Sequence, residues 1–432
     1  MSRPNILYLH SHDTGRYTQP YGHAVATPNL QRLALDGILF RQAFCAAPTC
    51  SPSRAALLTG QSAHSSGMLG LAHRGFALKD YRQHLIHTLK PAGYHTALVG
   101  IQHVAKNAET IGYDRVLPLT DHSARFVAPA ARDFLQAKPK QPFFLSVGFG
   151  ETHRPFPSPR DPGKASYCLP ASPLPDTPRT RLDMAAFRAS AADLDTGIGI
   201  VLKALEDDDL ARNTLVICTT DHGIAFPGMK CNLTDHGIGV QLVVRGPEGF
   251  AGGKVCDGLV SQVDLFPTIC EILEIEAPTW LEGRSILPLV RGQADEVNDE
   301  IFAEVTFHAA YEPQRAVRTR RWKYIRRFDT RQNPVLPNCD DSPSKEVWLE
   351  CGWQGRNVET ELLYDLAFDP NETHNLAQDG RSEPTLEEMR QRLRVWMERS
   401  QDPLLQGAVK PPEGSLLNDP NGLSPSETAI AY

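Results

Sequence analysis

Asn5-Ile6-Leu7-Tyr8-Leu9-His10, followed by Ser11 and then His12-Asp13, is a short apolar run that stops in chemically versatile residues. A run of this length, apolar at successive positions, predicts a β-strand covered on both faces. Runs of the same kind recur at residues 95–99, 143–149, 214–219 and 240–244. Helical patterns lie between them. One starts at Thr27-Pro28, a cap followed by proline at the first helical position, and stops at Gly37. Others cover about residues 180–206 and 263–274. The alternation predicts an α/β fold with a large, mostly parallel sheet flanked by helices.

In such sheets ligands bind beyond the carboxyl ends of the strands. His12-Asp13 follow the first run, His153 the one at 143–149, and Asp221-His222 the one at 214–219. Taken singly, each pair is as readily a loop turn or a helix cap. Their recurrence at strand ends predicts one composite site.

The chain changes character near residue 295. Residues 301–306, 315–319, 322–328 and 361–366 read as short strands, and 385–400 as a helix. They predict a small antiparallel sheet with a packed helix. Residues 332–339 read as a loop, and the Pro/Gly/Asn-rich tail after Gln401 as a wrap. The expected division is a catalytic α/β domain over 1–295 and an α+β subdomain with tail over 296–432.

Bulk properties narrow the function classes. The chain has 432 residues, 41% of them hydrophobic, and a formal net charge of −7. An overall attraction to nucleic acid or an acidic membrane is not expected. No apolar run approaches the ~18 residues of a membrane span. Nine cysteines without metal-type spacing fit a reducing compartment. The expected location is the cytoplasm, or the periplasm or exterior if a leader has been removed.

The strongest chemical signal is Cys50-Ser51-Pro52-Ser53-Arg54, followed by Ala55-Ala56-Leu57-Leu58-Thr59-Gly60. A helix is predicted to begin there and end near Gly60. Its free amides and positive dipole end suit an anion, and Arg54 adds a fixed charge one turn in. A lone Cys in this setting is ordinarily a small core residue.

The run Ala47–Gly60 resembles the signature of the formylglycine-dependent sulfatase family. So do Thr27-Pro28-Asn29-Leu30 with Leu33, Gly37 and Phe40, and Arg315-Ala316-Val317-Arg318 with Trp322-Lys323-Tyr324. Leu363-Tyr364-Asp365-Leu366, with Asp369-Pro370-Asn371-Glu372, is similar to its C-terminal signature. The resemblance implies an alkaline phosphatase-like fold. It implies oxidation of Cys50 to formylglycine (3-oxoalanine) by a formylglycine-generating enzyme. It also implies one divalent metal, at His12, Asp13, Asp221 and His222, with His12 and Asp13 both open as the first ligand. Calcium is the family default, but it prefers all-oxygen sites. The two imidazoles suit Mn²⁺, Fe²⁺ or Zn²⁺.

The same resemblance assigns Arg54 and Lys230 to the charge on the sulfuryl oxygens. His153 or Lys230 protonates the leaving group, and His103 takes a proton as sulfate departs. Ile101 stands where the family has a lysine, with Lys106 the nearest substitute. Gly67–His73 and Asp221–Pro227 resemble the heparan N-sulfatase (sulfamidase)-like members. The expected activity is hydrolysis of a sulfate ester or sulfamate on a small molecule or saccharide, such as an amino sugar. The alternatives are a phosphonate monoester or phosphodiester hydrolase on the same scaffold, and a non-catalytic binding protein with unmodified Cys50.

Overall fold

The computed structural model describes residues 3–432. Ten strands precede residue 265: β1 (Asn5–Ser11), β2 (Ile38–Phe40), β3 (Ala43–Phe44), β4 (His95–Gly100), β5 (Arg115–Leu117), β6 (Phe143–Gly148), β7 (Thr214–Thr220), β8 (Leu242–Arg245), β9 (Lys254–Cys256) and β10 (Val260–Ser261). Eight of them form one sheet in the order β5-β4-β6-β1-β7-β8-β2-β9. Only β8 runs against its neighbours, β7 and β2. β3 and β10 pair separately as a short parallel ladder. The α/β fold with a mostly parallel sheet is as expected.

Alternation along β1 explains why the sheet is covered twice. Leu7 and Leu9 enter a core with Leu145, Val147, Val216 and the helix Pro178–Asp207. Ile6 and Tyr8 enter a second core with Phe144, Ile217 and Phe266 on the other face. Successive side chains of a strand point to opposite faces, so an unbroken apolar run requires cover on both.

The register places the site. His10 sits level with Gly148 of β6 and with Thr219 of β7. The residues that follow these three central strands therefore emerge side by side. The helix α1 (Pro28–Asp36) stops at Gly37, and α2 (Cys50–Thr59) begins at Cys50. Gly60 closes α2 in the left-handed conformation (φ 67°), its amide bonded to the carbonyl of Ala56.

Four more strands, β11 (Glu300–Phe307), β12 (Tyr311–Thr319), β13 (Trp322–Arg327) and β14 (Glu361–Asp365), form an antiparallel sheet in chain order. The helix Glu383–Arg399 packs Leu386, Met389 and Leu393 against Val317, Tyr324 and Leu363. The tail folds back, with Leu416–Leu417 paired to Ile430–Ala431.

Several boundaries differ from expectation. The strand expected at 240–244 is β8, two residues later and reversed in direction. β2, β5 and β9 have three residues each, too few for a periodic signal. Phe40, grouped above with Thr27–Leu30, Leu33 and Gly37, lies in β2 and not in α1. The helix expected at 263–274 runs from Leu265 to Ile272 after a 3-10 turn at Gln262–Asp264. Among the described residues no helix is long and apolar enough to cross a membrane.

Candidate active site

The chain leaves β1 through Asp13, whose backbone is left-handed (φ 53°). Few non-glycine residues adopt this conformation. It turns the Asp13 amide onto Oδ1 of Asp221 at 2.8 Å. Asp221 and His222 follow β7 directly, and the next residue must be small. A Cβ on Gly223 would lie 2.0 Å from the carbonyl oxygen of His236.

These side chains converge in the interior. His12 Nδ1 is 2.6 Å from Asp13 Oδ1 and 3.4 Å from Asp221 Oδ2. Lys230 Nζ donates to Asp13 Oδ2 at 2.9 Å, and Arg54 Nη2 to Asp221 Oδ2 at 2.9 Å. Burial pushes both carboxylates up, but their charged neighbours outweigh it. Lys230 holds Asp13 well below the usual range, and His222 and Arg54 hold Asp221 low. Burial likewise lowers Lys230, but Asp13 and Asp340 hold it well above its ordinary value.

Donor atoms of His12, Asp13, Cys50 and Asp221 all lie within 4.8 Å of one another. The ring of His222 adjoins this group, its Nε2 3.2 Å from Asp13 Oδ1 and 3.8 Å from Asp221 Oδ2. Its Nδ1 donates to its neighbour's carbonyl, Gly223 O, at 3.0 Å, while the buried Nε2 makes no hydrogen bond. A ring nitrogen fixed by a carbonyl on one side and unpartnered on the other is the usual arrangement of a metal-ligating histidine. The donor set therefore fits a divalent cation.

Cys50, the first residue of α2, is 3% exposed. Burial holds its thiol well above the ordinary range, so an unmodified Cys50 is a neutral thiol. The serines beside it have structural work. Ser51 Oγ accepts from the amide of Ala72 at 3.0 Å, and Ser53 Oγ donates to the carbonyl of Asp221 at 2.5 Å.

A cleft opens above this cluster. His12, Cys50, Ile101, His103, His153 and Lys230 line it. His103 Nδ1 is 3.2 Å from His12 Nε2, and the rings of His153 and His12 meet edge to face at 4.5 Å. Asp13, Arg54, Asp221 and His222 are buried and do not line the cleft. All nine residues singled out in the sequence are thus in or beneath one cleft. Arg54 stands behind Asp221, also donating to the carbonyl of Ser11 at 2.9 Å, rather than facing the cleft. Lys106 is exposed and does not replace the charge missing at Ile101.

The lining residues that were not foreseen include Asp340 and His308. Asp340 Oδ2 accepts from Lys230 Nζ at 2.9 Å, and His308 stands beside it in the far wall. Both lie in turns after residue 295. The strand-end rule holds for parallel sheets and does not extend to the antiparallel sheet that His308 follows.

Comparison with known proteins agrees with this geometry. The "Sulfatase" family model matches residues 4–275, and the model "N-sulphoglucosamine sulphohydrolase, C-terminal" matches residues 229–347. Human N-sulphoglucosamine sulphohydrolase is 32% identical, covering 93% of this chain and 91% of its own. An ulvan-active sulfatase of Formosa agariphila is 30% identical, covering 94% and 82%. A solved structure described as a complex with D-glucosamine-2-N,6-O-disulfate superposes with a TM-score of 0.72 at 18% identity, covering 93% and 98%. A 2-O GAG sulfatase does so at 0.72 and 21%, covering 95% of each chain. At those identities the structures speak for the fold. The family match over most of the chain, with a relative at 32% identity end to end, makes this protein a member of the sulfatase family and a hydrolase.

Proposed function

We propose that the protein hydrolyses the sulfate ester or sulfamate of a sulfated amino sugar, using formylglycine made from Cys50 and one divalent cation. The observation that carries this reading is the convergence of His12, Asp13, Cys50 and Asp221 at the floor of a cleft that also holds Lys230, His103 and His153. The name of the human relative motivates the amino sugar. A formylglycine-generating enzyme is the implied partner in maturation.

Formylglycine hydrate supplies a geminal-diol nucleophile, and a cation held by His12, Asp13, Asp221 and His222 supplies Lewis acidity. The remaining work falls to the chain's own side chains. Arg54 orients Asp221 from behind and keeps it ionised. Lys230, buried and anchored by Asp13, is a fixed positive charge facing the sulfuryl oxygens, and such preset charge needs no reorganisation during reaction. His153 is exposed at the mouth, with Nδ1 bound to the carbonyl of Arg154. Its Nε2 is thereby placed to protonate the departing oxygen or nitrogen. His103, beside His12, accepts the proton released as sulfate leaves.

The test is sulfate release by the protein co-expressed with a formylglycine-generating enzyme. Glucosamine N-sulfate, 4-nitrophenyl sulfate and bis(4-nitrophenyl) phosphate are the substrates. Faster turnover of the phosphodiester than of either sulfate would overturn the reading in favour of a phosphodiesterase.

A further inference from the structure

Apart from the bond of Asp340 to Lys230, the far wall of the cleft has no part in that chemistry. It comes from the C-terminal sheet and the segment after it. His308 stands in the turn between β11 and β12, and Asp340 follows the 3-10 turn Leu336–Asn338. The wall is firmly held. Ala310 donates its amide to Asn338 Oδ1 at 2.8 Å, and Arg74 Nη1 donates to Asn418 Oδ1 at 2.8 Å and to the carbonyl of Ala309 at 3.2 Å.

Both side chains carry unused polar capacity. His308 is 5% exposed, and its Nδ1 is buried without a hydrogen-bond partner among the described residues. Leaving such an atom unpaired is costly, so an unpaired one needs an explanation. Burial and the nearby Lys230 ammonium hold the ring well below its ordinary pKa. A neutral ring offers one donor and one acceptor. Asp340 gives Oδ2 to Lys230, while Oδ1 makes no hydrogen bond among the described residues. An oxygen that only accepts, beside an imidazole in the same cleft wall, suits hydroxyl groups on adjacent carbons. A pyranose has them; an aryl or sterol ring does not.

We infer that His308 and Asp340 form the subsite that reads the sugar ring carrying the sulfate, and that the substrate is a pyranose with a free hydroxyl beside the sulfated position. The inference rests on the sulfatase reading above. It also sets a charge preference. The Asp340 carboxylate repels a uronate placed against it and tolerates a neutral or amino sugar.

The matured protein and its His308→Leu and Asp340→Asn variants would be compared on two kinds of substrate. One is a panel of monosulfated glucosamines and galactoses; the other is 4-nitrophenyl sulfate. The readout is the ratio of kcat/KM for the best sugar to kcat/KM for the aryl sulfate. Each variant should lower that ratio roughly tenfold or more, because a site built to bond a hydroxyl loses most when that bond is removed. The His308→Leu protein should melt no lower than wild type, since it discards an unpaired buried nitrogen. A ratio unchanged in both variants, a parallel loss on both substrates, or a His308→Leu protein that melts well below wild type overturns the inference. If the wild type cleaves the aryl sulfate but none of the sugars, the subsite falls and the sulfatase reading stands. If it cleaves neither, both fall.

Discussion

His222 Nε2 lies 3.2 Å from Asp13 Oδ1, both atoms fully buried and no hydrogen bond joining them. The ring's other nitrogen is committed to Gly223 O, so Nε2 is the atom of this ring left to share a cation with the carboxylate.

That relationship sets the metal prediction. Imidazole nitrogen favours Mn²⁺, Fe²⁺ or Zn²⁺, whereas calcium favours oxygen. Protein purified without chelators should carry about one equivalent of a transition metal by elemental analysis. EDTA should lower Tm, and Mn²⁺ or Zn²⁺ should restore it better than Ca²⁺. His222→Asn, which replaces the ring nitrogen by an amide oxygen, should shift the rescue towards Ca²⁺. One equivalent of calcium with no rescue by manganese would remove His12 and His222 from the ligand set.

Maturation is a separate question with a direct readout. Co-expression with a formylglycine-generating enzyme should make the peptide containing Cys50 lighter by the difference between a thiol and an aldehyde. Cys50→Ala should melt within a few degrees of wild type and release no sulfate. Full activity in that variant would exclude residue 50 as the nucleophile.

Lys230 is the cation shared by Asp13 and Asp340, 2.9 Å from each. Lys230→Met strands the buried carboxylate of Asp13 and the partly exposed one of Asp340, and breaking a buried pair from one side costs about 3–5 kcal/mol. Chemical denaturation should show a loss of that order. The double variant Lys230→Met/Asp340→Asn should recover part of it. Equal stability of the single and double variants would mean that Asp340 is not coupled to Lys230.

A second buried network joins the helix Ala63–Ser66 to the C-terminal sheet. His64 Nδ1 lies 2.9 Å from Glu304 Oε1, and Arg315 reaches Glu304 at 3.1 Å and Asp402 at 2.5 Å. His64, Glu304 and Asp402 could form a metal cluster, but the Arg315 guanidinium already neutralises it. Burial opposes charge here, yet Glu304 raises the His64 pKa, and His64 and Arg315 bring Glu304 down to about 2. The lowered Glu304 stabilises the fold above its ordinary 4.5, and that stability is lost as pH falls towards 2. The raised His64 stabilises it below its ordinary 6.5, and that stability is lost as pH rises through the folded value. The network is therefore worth most between pH 4.5 and 6.5. His64→Gln should cost more stability at pH 5.5 than at pH 8.5, measured by denaturant midpoint. An equal cost at both would show that His64 is uncharged in the fold.

The sheet and the floor of the cleft were legible because both depend on local order. An apolar run ending in His12-Asp13 or Asp221-His222 shows a strand and its chemistry together. The three-residue strands were not legible, since β2, β5 and β9 owe their conformation to neighbours brought in from far along the chain. The reversal of β8 is likewise a property of the connection, not of its residues. Arg54 was read as facing the ligand because helix position gives a direction only once the strand behind it is placed. His308 and Asp340 carry no local mark at all. One follows a strand and the other follows a 3-10 turn, and only the packing of the second sheet brings them to Cys50.

The tail adds a last consequence. Arg74, in the lining of the cleft, is tied to Asn418, and Pro425 closes the cleft's edge. The rim is thus assembled from segments more than three hundred positions apart. The floor and the rim are built by chain far apart in sequence, and the cleft acquires its edge only where the tail folds back.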